Sequence, residues 1–76
     1  MRATAVSRQD TDRLLTESEI VLLERLSYGV TDEMIGWERR VPVETVRDSI
    51  DGVVNALGAK NREHAVAIAL KTGLIR

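Results

Sequence analysis

Seventy-six residues, 8.5 kDa in mass, allow one small domain, and a chain of this size buries only roughly 60% of its unfolded surface, so its core is thin. There is no cysteine, which excludes disulfides, thiolate metal sites and cysteine nucleophiles. The single histidine, His64, argues against a His-rich metal site or a charge relay. The longest strictly apolar run, residues 65–70, is six residues long, too short for a membrane span, and residues 1–6 lack the apolar stretch of a secretory signal. A cytoplasmic protein held together by helix packing or by a partner is the expectation.

Eleven Lys and Arg against twelve Asp and Glu leave a net charge of −1, without the basic excess common in nucleic-acid binders. The distribution is uneven. Residues 31–58 carry Arg39, Arg40 and Arg47 against six carboxylates, whereas residues 59–76 carry Lys60, Arg62, Lys71 and Arg76 against Glu63 alone. The middle is acidic and the C-terminal end basic.

Residues 1–14 show no period and mix Ser, Thr, Gln, Asp and Arg, so a flexible N-terminal arm is expected there, followed by one domain over 15–76. Thr16-Glu17-Ser18-Glu19 is a capping box. Ile20, Leu23 and Leu26 recur at helical spacing, with Leu22 widening the stripe, and Gly29 stands where a left-handed residue ends a helix. The first helix is therefore expected over about 17–28. Thr31-Asp32 opens a second, with acid in its first turn where the helix dipole favours it. Pro42 keeps that helix short by disfavouring helical geometry at Val41. A third helix is expected over about 43–57, with Val43, Val46, Ile50, Val53, Val54 and Leu57 on one side and Gly58 as its stop. Asn61 caps a fourth over about 62–72, and Gly73 closes it. The fold class is all-α, with four helices.

A short helix, a tight turn containing Pro42 and a longer helix with a polar outer face make a helix-turn-helix pattern. The wider set Leu15-Thr16, Glu19, Leu23, Gly29, Thr31, Ile35, Thr45-Val46-Arg47, Leu57-Gly58-Ala59, Arg62, Ala65 and Gly73-Leu74-Ile75 resembles the LuxR/GerE-type DNA-binding domain over residues 15–75 without a gap. The resemblance implies that the second and third helices form the helix-turn-helix and that the third enters the major groove. It also implies homodimerisation through the fourth helix, and a sensor or receiver domain elsewhere in a longer protein; a stand-alone member is the alternative. Several positions depart from the family pattern. Asp32 and Glu33 stand where it usually has Asn-Lys, Arg39 where it has a leucine, Pro42 where it has a serine, and Ser49 where it has a histidine. Asn55 and Ala56 replace residues that are commonly basic.

On the third helix Glu44, Arg47, Asp48, Asp51 and Asn55 share one stripe at spacings of three and four. An arginine can read guanine, an asparagine adenine, and a carboxylate can accept from cytosine N4, yet three carboxylates beside phosphate weaken binding. The candidate DNA-binding residues are Thr31, Glu44, Thr45, Arg47, Asp48, Asp51, Lys60 and Arg62. For Thr31 and Asn61 capping alone accounts for the residue type, and Arg62 is alternatively expected to pair with a carboxylate of the first helix. Trp37, three residues after Met34, is expected to pack in or against the core and is the candidate to fill the space of the leucine replaced by Arg39. In the fourth helix the apolar run 65–70 leaves a face for a second copy, drawn from Ala65, Val66, Ile68, Ala69 and Thr72. No phosphate loop, metal-ligand spacing or nucleophile–base pair is present, so no enzymatic activity, cofactor or metal is expected. The reading is a transcriptional regulator that binds double-stranded DNA. The alternative is a protein-interaction module on the same fold, meeting transcription machinery or another regulator through its acidic third helix.

Overall fold

The structure, a computed structural model, describes residues 15–76; the expected arm, residues 1–14, lies outside the described residues. These are all-helical, with four helices and no strand among them. α1 (Glu17–Ser27) starts at Thr16, whose Oγ1 accepts the Glu19 N–H at 3.1 Å while Glu19 Oε1 accepts the Thr16 N–H at 2.8 Å. Tyr28 caps its far end rather than extending it, and Gly29 at φ 82° turns the chain so that the Val30 N–H reaches the Arg25 carbonyl at 3.1 Å. That bond satisfies one of the carbonyls left open at a helix end.

α2 (Asp32–Arg39) begins at Thr31, whose Oγ1 accepts the Met34 N–H at 3.1 Å. It gives way two residues before Pro42, at Arg40, which takes the left-handed conformation (φ 61°) without being glycine. Pro42 is the N-cap of α3 (Val43–Ala56) and contributes its carbonyl, not a side chain, to the first turn. Leu57 is the C-cap of α3, one residue past its end. In α4 (Arg62–Thr72) Asn61 Oδ1 accepts the His64 N–H at 2.8 Å, and Gly73 at φ 81° closes the helix. His64 in turn uses its Nδ1 to accept the Lys60 N–H at 3.0 Å, a local turn contact.

The core is Leu15, Leu22 and Leu23 from the first segment, Ile35, then Val46, Ile50 and Val53 of α3, Ala65 and Ala69 of α4, and Ile75. α2 packs on α3, while α1 and α4 pack on each other and both on α3. Gly36 makes room for the turn between α2 and α3. It is buried, and a Cβ there would lie 2.9 Å from the Val41 carbonyl oxygen and 3.7 Å from Val43 Cα. The turn therefore folds directly against the α2 backbone.

Three expectations are corrected by the packing. Trp37 is not a core residue: it is 78% exposed, and Met34 is exposed with it. The inner stripe of α2 is Asp32, Ile35, Gly36 and Arg39, and at 100° per residue positions 34 and 37 rotate away from it. Nor does Trp37 fill the leucine space. Arg39 lies half-buried across the gap and donates to Ser18 Oγ at 3.0 Å and to the Ser18 carbonyl at 2.8 Å, tying the end of α2 to the start of α1. In α4, Ala65 and Ala69 are 1% and 0% exposed and belong to the core, so they do not form the outward seam expected of them. Their small side chains are what let α1 and α3 come close. Val66 and Ile68 are half-buried; Ala67, Leu70 and Thr72 face out together with the charged or polar Glu63, His64 and Lys71.

Candidate nucleic-acid interface

α3 presents its two faces as the periodicity requires. Val46, Ile50 and Val53 are buried, and Glu44, Thr45, Arg47, Asp48, Asp51 and Asn55 are exposed. The exposed stripe therefore carries three carboxylates and one guanidinium. Gly52 also opens outward, with nothing within 4 Å of where its Cβ would stand.

The guanidinium is not idle. Arg47 Nε lies 3.4 Å from Asp32 Oδ2 and its Nη2 3.4 Å from Glu33 Oε2. Asp32 also takes Arg62 of α4 in a two-pronged pair, Nη1 to Oδ1 at 2.7 Å and Nη2 to Oδ2 at 3.0 Å. The first turn of α2 thus binds one arginine from α3 and one from α4. Arg62 pairs with α2, not with a carboxylate of α1 as the sequence suggested. Asp32 is 12% exposed at its side chain, Arg62 37%, Arg47 51% and Glu33 69%, so the arrangement runs from a sheltered centre to a solvated rim.

The electrostatics follow from this geometry. The Arg62 hydrogen bonds hold the Asp32 carboxyl below its ordinary range, against the opposing pull of burial, with Arg47 adding to the effect. Asp32 pushes the Arg62 guanidinium up, and Glu63 and Asp51 contribute from α4 and α3. Charged Asp32 at the start of a helix is further favoured by the dipole. A planar guanidinium gripping both oxygens of a carboxylate is the strong form of such a pair.

Of the other expected site residues, Thr31 uses its hydroxyl to cap α2. Thr45 and Lys60 are exposed. A second ion pair, Arg25 Nε to Glu38 Oε1 at 3.2 Å, joins α1 to α2 on the surface. Sequence reasoning missed Asp32 and Glu33 as partners of the two arginines. The available signal was the exchange of Asn-Lys for two acids at this corner, which places carboxylates where the family resemblance expects a neutral and a basic residue. Among the described residues no group of three or more His, Asp or Glu side chains is placed to hold a metal ion, and no helix is long and apolar enough to cross a membrane.

No family model matches the chain, and no solved structure matches it. It is similar to the transcriptional regulatory protein YdfI of Bacillus subtilis (strain 168), with 30% identity over 70 residues, 92% of this chain and 33% of that protein. The chain thus spans about a third of the length of the curated relative it matches.

Proposed function

We propose that this chain is a DNA-binding transcriptional regulator of the helix-turn-helix type, a domain of the LuxR/GerE kind over residues 15–76 that lays α3 in the major groove. The observation that carries the reading is the α2–turn–α3 unit itself. Gly36 lets the turn close on α2 while the outer stripe of α3, Glu44 to Asn55, stays exposed, with Arg47 alone of it reaching the acids of α2. Similarity to a transcriptional regulatory protein over nearly the whole chain supports it. At a cognate site Arg47 and Asn55 read bases, whereas on a non-cognate duplex Arg47 turns to the backbone; Asp48 and Asp51 narrow the choice of site, and Thr31, Thr45, Lys60 and Arg62 hold the backbone. The protein works in the cytoplasm, needs no cofactor or metal, and carries out no catalysis. Two copies pair through α4, with Ile68, Leu70 and Thr72 at the seam in place of the buried alanines.

A second reading has one specific observation in its favour. Both arginines nearest α3 are engaged by carboxylates, and the remaining exposed charge of α3 is acidic, a surface suited to a basic protein partner. Anisotropy titration of the full chain against a random-sequence duplex at low and high salt separates the two. The DNA reading requires binding that falls steeply with salt, since released counterions drive it. Binding that is absent at low salt overturns it and leaves the protein-partner reading.

A further inference from the structure

We infer that Asp32, assisted by Glu33, is an internal substitute for phosphate that occupies Arg62 and Arg47 in the free protein and so sets how strongly the α2–α3 corner holds a duplex backbone. The inference rests on the DNA reading above. Its grounds are geometric. Arg62 meets both oxygens of Asp32 at 2.7 and 3.0 Å, the two-pronged grip that guanidinium also makes on a phosphate. Arg47 is held more loosely, its contacts to Asp32 and Glu33 both at 3.4 Å and its side chain half in solvent. The corner is thus a graded clasp, with Arg47 the first to exchange and Arg62 the last.

The consequence concerns exchange rather than addition. A cation already paired with a carboxylate benefits little by moving to a phosphate, because one ion pair is lost for each one made, and the vacated carboxylate then repels the backbone. Asp32 therefore keeps non-specific affinity low and leaves base contacts to decide where the protein rests. Removing its charge releases Arg62 and leaves Arg47 only its 3.4 Å contact with Glu33. Removing an equal charge from α3, at Asp48, which holds no arginine among the described residues, releases none.

The test compares the salt dependence of duplex binding for the wild type, Asp32→Asn, Glu33→Gln, Asp48→Asn and the double variant Asp32→Asn/Arg62→Ala, all as full chains. Each further phosphate neutralised adds about 0.9 to the log–log slope, so one released arginine deepens the loss between about 50 and 200 mM salt by about three- to fourfold and two by about tenfold. Asp32→Asn is expected to steepen the dependence by between one and two such increments, Glu33→Gln by less, and Asp48→Asn, which relieves repulsion but frees no arginine, the least; Arg62→Ala is expected to cancel at least half of the Asp32→Asn effect. Circular dichroism confirms folding; should Asp32→Asn not fold, the exposed Glu33→Gln carries the comparison with Asp48→Asn. Salt-dependent wild-type binding with equal responses from Asp32→Asn and Asp48→Asn, or from Glu33→Gln and Asp48→Asn, overturns the clasp and leaves the DNA reading intact. Absence of salt-dependent binding in every variant overturns both.

Discussion

At Asp32 a single carboxylate serves two guanidinium groups from two other helices, and its ionisation is accordingly coupled to folding. Its folded-state pKa lies below the ordinary value because Arg62 and Arg47 favour the anion. A depressed carboxyl contributes stability that is present above the unfolded-state value and is lost as pH falls through the folded one, so the window lies on the acid side, below about pH 4. Glu33 meets Arg47, and Asp51 and Glu63 carry charge near Arg62, but the variant isolates Asp32. Asp32→Asn is expected to lower stability by about 1–2 kcal/mol at neutral pH, between the values for exposed and buried pairs, with the difference from wild type shrinking towards about pH 2–3. Urea midpoints across that range check it; a difference independent of pH would show that the pair contributes nothing through charge. Trp37 illustrates the opposite case at the same scale. The largest side chain in the sequence lies outside the core because it stands one step round the helix from Gly36, and neither its size nor its apolarity decides where the helix turns.

Helix boundaries were legible wherever a side chain or a glycine makes the local hydrogen bond. Thr16, Thr31 and Asn61 each accept the N–H three residues on, and Gly29, Gly58 and Gly73 all have positive φ. The end of α2 was legible only in outline, since Arg40 adopts a left-handed backbone that its own type does not favour. What holds it there is the closing of the helix end: the Val41 N–H bonds to the Gly36 carbonyl at 3.0 Å and the Arg40 N–H to the Trp37 carbonyl at 3.3 Å, while the turn presses on Gly36. Two glycines within helices therefore have opposite meanings. Gly36→Ala is expected to destabilise by about 1–3 kcal/mol, because the new Cβ meets backbone that cannot yield cheaply. Gly52→Ala, in the open middle of α3, is expected to stabilise by about 0.5–1 kcal/mol through helix propensity. Thermal unfolding of the two variants checks both signs, and a stable Gly36→Ala would mean that the turn is not tightly closed on α2.

Across the domain the balance is between a thin core and a surface on which Val21, Tyr28, Met34, Trp37 and Leu70 stay exposed. Ten buried apolar residues from all four helices and both ends of the described chain share one core, and Ala65 and Ala69, as members of it, are not available to a second copy. The proposed α4 seam would then rest on half-buried Ile68 with exposed Leu70 and Thr72. Leu70, 48% exposed, can be changed without opening the core. Leu70→Glu is expected to leave the fold intact, to shift sedimentation from dimer to monomer at high micromolar concentration, and to weaken duplex binding by removing two-site attachment. A wild-type chain that sediments as a monomer there, with duplex binding unchanged by Leu70→Glu, would remove α4 as a seam.

The number, order and approximate limits of the helices, and the buried stripe of α3, could be read from the chain alone, because they depend on local hydrogen bonding and on a period that can be counted along it. Asp32 and Glu33 were likewise visible there as unusual for the fold they resemble. Packing decided the rest: which cation each acid meets, that Trp37 faces water, that Arg39 reaches Ser18, and that Ala65 and Ala69 of α4 belong to the core. These outcomes depend on how the helices rotate about their axes when they come together. A turn of one residue, about 100°, is enough to exchange a surface for an interior, and nothing along a single helix records which of its neighbours will cover it.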